Sequence, residues 1–272
     1  MELGLVQIGI LVATGIAGGV VSGFAGVGGG VVMVPVLLVL YRAWGLPAET
    51  VVQAAMGTSL AVGACSTASS AARHHRHGRV LWSLVPAIFP ASMVFAAAGG
   101  WVAAQLEGRW LQTFLGLALV LAAVNLAVKR EGADDGDPAV MRRPPWWHWI
   151  PVGGAVGLFA GLSGLAGGVV LVPVLSLLGR VPARFLAGTS SAVVMFTSLA
   201  GAIGYMTADP SPPLGAPFVG HVNFAAAVCL AVTAIPGAQL GARLNRRVGG
   251  LWFRRAFSLL LLFVAARLLA TA

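Results

Sequence analysis

Charge is what this sequence has least of. Only 9% of its 272 residues are Asp, Glu, Lys or Arg, while 58% are hydrophobic and the mean hydropathy is +0.90. A soluble domain carries about a quarter charged residues to cover its surface. The composition excludes one and points to an integral membrane protein. Cysteine is almost absent: Cys65 and Cys229 both fall inside apolar runs, which argues against a disulfide framework or a cysteine metal centre and leaves two small buried hydrophobes. No acidic or basic residue sits in the middle of an apolar run. Intramembrane carboxylates are the usual proton and cation relays, so their lack weighs against a cation carrier. Glu49 and Gln53 stand at a span entrance, as interfacial residues do. The net charge of +9 lies in short loops between apolar runs, the pattern of positive-inside topology rather than of nucleic-acid binding. Nothing calls for a cofactor.

What is there is a series of ten apolar runs, at 3–24, 30–41, 50–72, 80–106, 110–128, 149–162, 168–178, 181–206, 222–242 and 251–270. A helix needs about 20 apolar residues to cross a hydrocarbon core of about 30 Å. Most runs qualify. The run at 30–41 reaches only about 18 Å at 1.5 Å per residue, and the run at 168–178 is shorter still, so both read as half-helices. The first run has no clear small-residue cleavage site and reads as a retained helix. Loops rich in Arg, Lys and His at 73–79, 129–148 and 243–250 are expected to be cytoplasmic. The loop at 207–221 has no Arg or Lys and is expected to face outward. Both termini then come out external.

The chain repeats itself. Aligning 23–37, "GFAGVGGGVVMVPVL", with 161–175, "GLSGLAGGVVLVPVL", gives ten identities in fifteen positions. "GTS" recurs at 57–59 and 188–190, "GRV" at 78–80 answers "GHV" at 220–222, and Trp110 answers Trp252. These ordered landmarks predict a duplication, with residues 1–128 as one repeat, 129–148 as a linker and 149–272 as the other. Five segments per half make the second half enter from the opposite side. If each glycine-broken pair dips and returns, three crossings remain and the parity is the same. The expected fold class is therefore an all-α polytopic membrane protein of two inverted repeats, as in many secondary transporters.

A glycine cluster that interrupts a membrane helix needs a reason, because an unpaired backbone group in lipid costs several kcal/mol. Irregular backbone survives only against protein or a wet cavity. The breaks at Gly26 and Gly164 precede short helices with Pro35 and Pro173 inside them. Each helix start carries unpaired N–H groups and about half a positive charge, and small residues let the backbone approach an anion. Ser22, Gly28, Gly29 and Gly30, with Ser163, Gly167 and Gly168 in the second copy, are thus candidate binding residues for an oxyanion near the membrane midplane. Thr58, Ser59, Thr189 and Ser190 are candidate hydroxyl donors, although such residues in membrane helices often bond their own i−4 carbonyl. The competing explanation for isolated glycines is close helix packing.

The motifs "SGFAGVGGGVVMVPVL" (22–37) and "AGLSGLAGGVVLVPVL" (160–175), with "GTS" twice, resemble the sulfite exporter TauE/SafE family of membrane permeases. The resemblance covers essentially the whole chain. It implies a transporter in the bacterial inner membrane that exports small sulfur-containing anions such as sulfite or organosulfonates, sulfoacetate among them. Its glycine motifs fall on 22–30 and 160–168. The second copy has Ala166 where the first has Gly28, so the two nests need not contribute equally. The implied partners are the lipid bilayer and the anion; whether two chains pair as a homodimer is left open. A passive anion channel is the nearer alternative. "GLSG" at 161–164 also fits an intramembrane serine protease with Ser163 as nucleophile, which would need a base such as His148 or His221; the first copy has Ala25 at that position. "RHHRH" at 73–77 could hold a metal, but no carboxylate or cysteine accompanies it, and a topology anchor explains its arginines.

Overall fold

A computed structural model describes residues 4–128, 145–178, 181–247 and 251–270. They form α1 (Leu5–Ala25), α2 (Gly30–Ala43), α3 (Ala48–His75), α4 (Val85–Gln105), α5 (Gly108–Val128), α6 (Trp149–Ser163), α7 (Gly168–Leu177), α8 (Ala183–Thr207), α9 (Phe224–Arg247) and α10 (Leu251–Ala270). A two-stranded ribbon, β1 (Phe218–Val219) and β2 (Val222–Asn223), precedes α9. Five of these helices, α1, α3, α4, α8 and α9, are long and apolar enough to cross a membrane. The fold class is all-α polytopic, as expected. The short runs become α2, of 14 residues, and α7, of 10, about 21 and 15 Å long. Neither spans the core alone.

Burial sorts the helices into an inside and an outside. In α3 and α8, 78% of the apolar window is buried, against 33–39% in α1, α4 and α9. α3 and α8 therefore lie against each other at the centre, and the others bury one stripe and turn Ile16, Val94, Val232 and similar side chains outward. The close approach of the outer pairs follows from glycine spacing. Gly15, Gly19 and Gly23 of α1 face α9, where a methyl on Gly19 would lie 2.3 Å from the Ala234 carbonyl oxygen. Gly153, Gly157 and Gly161 of α6 face α4 in the same way, with 2.2 Å from a Gly157 methyl to the Ser92 carbonyl. These are small-xxx-small stripes that bring backbones together without a hydrophobic driving force.

The pairing of elements is unchanged when the halves are exchanged. α1 packs on α9 and α6 on α4; α3 packs on α9 and α8 on α4; α5 packs on α10. Individual hydrogen bonds obey the same exchange. Thr58 Oγ1 accepts the Asn223 N–H at 3.0 Å, and Thr189 Oγ1 accepts the Leu81 N–H at 3.0 Å. Tyr205 donates its hydroxyl to the Gly161 carbonyl, and the imidazole Nε2 of His74 meets the Gly23 carbonyl. Tyr41 adds a bond with no described counterpart, its hydroxyl donating to Thr58 Oγ1 at 3.1 Å. Tyr41→Phe is expected to cost about 1 kcal/mol, visible as a lower melting temperature in detergent; an unchanged value would show that this bond contributes nothing net.

Several boundaries differ from the sequence expectation. The run at 80–106 starts its helix only at Val85, because Leu81 to Leu84 form a turn whose first amide is taken by Thr189. The basic tract at 73–79 is not all loop: α3 continues to His75 and buries His74. Its histidines diverge, with His75 accepting from the Trp82 indole and His77 bonded to the Arg73 carbonyl. α9 likewise carries Arg243, Arg246 and Arg247 within the helix. Residues 129–144 of the linker and 248–250 of the last loop lie outside the described residues. The loop without Arg or Lys contains the unanticipated ribbon, where buried His221 donates its backbone N–H to the Tyr205 carbonyl and carries an imidazole ring. Burial lowers the pKa of that imidazole, against the opposing pull of the Tyr205 and Ala208 carbonyls. The cysteines are not core residues: Cys65 is exposed and Cys229 half-buried, on the outward sides of α3 and α9.

Candidate functional site

The two glycine motifs cross at the centre of the molecule. α1 is capped by Gly26 and α6 by Gly164, both left-handed with φ of 69°, a conformation glycine adopts without steric penalty. Four residues after each cap, at Gly30 and Gly168, α2 and α7 begin. Each beginning abuts the opposite cap. A methyl on Gly30 would lie 2.7 Å from the Gly164 carbonyl oxygen, and one on Gly168 2.6 Å from the Gly26 carbonyl oxygen. Gly28 and Ala166, aligned in the repeat, touch: a methyl on Gly28 would stand 2.6 Å from the Ala166 Cβ. Pro35 and Pro173 sit inside the short helices, where each removes the N–H that would bond the carbonyl four residues earlier.

The GTS hydroxyls act on this crossing through its backbone. Ser190 donates to the Gly26 carbonyl at 2.7 Å and Ser59 to the Gly164 carbonyl at 3.2 Å. Those are the carbonyls that end α1 and α6, the negative ends of two helix dipoles. Thr58 instead holds the chain before α9 and Thr189 the chain after α3, as described above. Ser22 accepts from Ser66 at 3.3 Å. All six of these hydroxyl-bearing residues are buried.

With its carbonyls occupied, the crossing offers donors. Among the described residues, no acceptor faces the N–H groups of Val27, Gly28, Gly29, Gly30 or Val31, nor those of Ala166, Gly167 or Gly168. Buried N–H groups without partners are rare in folded proteins. Here they cluster at two helix starts, each worth about half a positive charge. The two copies are not alike. Gly28 is left-handed (φ 83°) and Gly29 right-handed (φ −78°), an alternation that turns successive N–H groups into a concave nest. In the second copy Ala166 (φ 65°) and Gly167 (φ 78°) are both left-handed.

Ser163 is spent locally. Its hydroxyl donates to the Phe159 carbonyl at 2.7 Å and accepts the Leu165 N–H at 3.2 Å, so it closes α6 and meets no histidine among the described residues. Sequence reasoning missed Tyr41 and Asn223, which bond Thr58, and the buried Ser198 of α8, which lies beside Gly63 of α3. A lone polar or small residue inside an apolar helix gives no spacing signal. The constant offset of 131 between the two GTS motifs does pair Thr67 with Ser198, which was the available clue.

Sequence comparison identifies the family. The sequence profile described as sulfite exporter TauE/SafE matches residues 11–268. Among similar proteins are two named "Probable membrane transporter protein": MJ0441 of Methanocaldococcus jannaschii, 26% identical over 90% of this chain and 88% of its own length, and YunE of Bacillus subtilis, 27% identical over 88% and 89%. A third of that name from Haemophilus influenzae is 25% identical over 92% and 94%. No solved structure matches. A profile that runs from within α1 to the end of α10 takes in both glycine breaks, both GTS serines and every helix that pairs across the halves, and the chain accordingly belongs to the sulfite exporter TauE/SafE family of membrane transporters, not of enzymes.

Proposed function

We propose that this transporter carries a small sulfur-containing anion, sulfite or an organosulfonate such as sulfoacetate, out of the cell by alternating access around the crossing of the two glycine motifs. One observation carries the anion: at the crossing the carbonyls of Gly26 and Gly164 are taken by Ser190 and Ser59, while the amides from Val27 to Val31 and from Ala166 to Gly168 are not paired. Broken helices in transporters meet anions with their N-termini and cations with their freed carbonyls. This crossing has kept the first and capped the second. The sulfur chemistry comes from the family alone.

The exchange-symmetric hydrogen bonds support reading residues 1–128 and 149–272 as inverted repeats that rock against each other, with the basic loops at 73–79, 129–148 and 243–250 on the cytoplasmic side of a bacterial inner membrane. Gly28, Gly29 and Gly30 form the stronger half of the anion site, and Gly167 and Gly168 the weaker. Purified protein in liposomes tests this. Sulfite and sulfoacetate flux is expected to saturate with concentration, and both anions are expected to raise the melting temperature, whereas uncharged dimethyl sulfone does neither. Flux that rises linearly without saturation would favour a channel; stabilisation by dimethyl sulfone equal to that by sulfite would end the electrostatic reading.

A further inference from the structure

Ser198 on α8 is fully buried, and its hydroxyl has no hydrogen-bond partner among the described residues. Its counterpart in the first half, Thr67, bonds the Gly63 carbonyl one turn back at 2.7 Å, so the serine had the same option and its hydroxyl is turned elsewhere. It faces Gly63 on α3. A methyl at Gly63 would lie 3.4 Å from Ser198 Oγ, 3.7 Å from Ser198 Cβ and 3.7 Å from Ala166 Cβ. All three are ordinary contacts, whereas a methyl at Gly28, Gly30, Gly167 or Gly168 would meet a neighbour at 2.9 Å or less. The glycines of the crossing are therefore tightly packed, while at Gly63, between α3 and α8, space of about methyl size opens beside the motif.

Ala166, which borders that space, is the one non-glycine residue with positive φ among the described residues, at 65°. A left-handed alanine is held there by its surroundings at a cost in backbone strain. Strain, an orphan hydroxyl, local room and unpaired amides thus coincide at one point, contributed by α3, α8 and the α6–α7 break.

From this we infer that Ser198 is a substrate-binding residue, whose hydroxyl donates to an oxygen of the carried oxyanion at the Gly63–Ala166–Ser198 space. The inference rests on the anion-site reading above and adds to it the side-chain donor that the glycine motifs lack. Sulfite and sulfonate oxygens suit it, since each presents several acceptors to donors from different directions. The space also makes Gly63 a size filter: the position tolerates a methyl sterically but then leaves no room for an anion oxygen.

The test measures sulfite and sulfoacetate Kd on purified full-length protein, together with the melting temperature without anion, for wild type, Ser198→Ala and Gly63→Ala. Ser198→Ala is expected to raise both Kd values about tenfold, as loss of one hydrogen bond to a charged group does, and to leave the melting temperature without anion equal to wild type or higher, because the hydroxyl has no protein partner to lose. Gly63→Ala is expected to weaken binding at least as much with the fold intact. Unchanged Kd in Ser198→Ala, with wild type binding normally, overturns the role of Ser198 and leaves the anion site standing. A melting temperature lowered in Ser198→Ala with Kd unchanged assigns the residue to structure and likewise overturns it. Wild-type protein that binds neither probe overturns the anion site itself, and this inference with it.

Discussion

Gly168→Ala is expected to abolish transport, with flux at least a hundredfold below wild type at comparable membrane abundance. The added methyl would lie 2.5 Å from the Val27 Cα, 2.6 Å from the Gly26 carbonyl oxygen and 2.8 Å from the Val27 carbonyl carbon. All three are backbone, so no rotamer change relieves the clash, and α7 must back away from the first motif. Overpacking of this kind costs about 1–3 kcal/mol, less than the lateral packing of the outer helices supplies, so insertion survives while the crossing opens. The equivalent Gly30→Ala gives a finer prediction. Its methyl would meet the Gly164 carbonyl oxygen at 2.7 Å, the Leu165 Cα at 3.0 Å and the Ser59 hydroxyl at 3.1 Å, each wider than the corresponding contact at Gly168, and α2 is four residues longer than α7. Gly30→Ala is therefore expected to be the milder of the two. Liposome flux normalised to reconstituted protein measures both, and wild-type flux from Gly168→Ala would remove the crossing from the transport mechanism.

The interruption of the helices was legible because it is local. A glycine cluster followed by a valine run with proline inside it has only one comfortable solution in a membrane, a left-handed cap and a restarted helix, and Gly26–Gly30 and Gly164–Gly168 adopt it. The ten apolar runs likewise gave ten helices among the described residues. What stayed hidden depends on partners far along the chain. Ser59 and Gly164 are 105 residues apart and Ser190 and Gly26 164 apart, so their hydroxyls read as ligand donors until the fold assigned them to carbonyls. The stripe of Gly15, Gly19 and Gly23 was not singled out in the sequence, because only the seat of α9 against it gives the spacing a purpose. The ribbon before α9 carries too few residues for an alternating pattern to register. Cys65 misled because an apolar run says nothing about which of its sides meets lipid and which meets protein.

The second large effect is expected from Ser59→Ala and Ser190→Ala combined. Each alanine leaves a buried carbonyl without its partner, at about 1–3 kcal/mol, and because both carbonyls lie at one crossing the double variant is expected to lose more stability than either single one, without strict additivity. Its functional consequence is of a different kind. The carbonyls of Gly26 and Gly164 would then present their negative ends beside the N–H groups proposed to hold the anion, and in a low-dielectric interior such an added partial charge is poorly screened. Anion affinity should fall further than stability alone accounts for. The single variants separate the two effects. Ser190→Ala, whose bond at 2.7 Å is the shorter, is expected to be the more damaging, and Ser59→Ala, with 3.2 Å, the less. If sulfite Kd in both single variants matched wild type while their melting temperatures dropped, the serines would be structural caps with no influence on the sign of charge the crossing accepts. If Kd rises in proportion to the exposed carbonyl charge, the selectivity of the site for anions is set as much by what these two hydroxyls silence as by the amides left open.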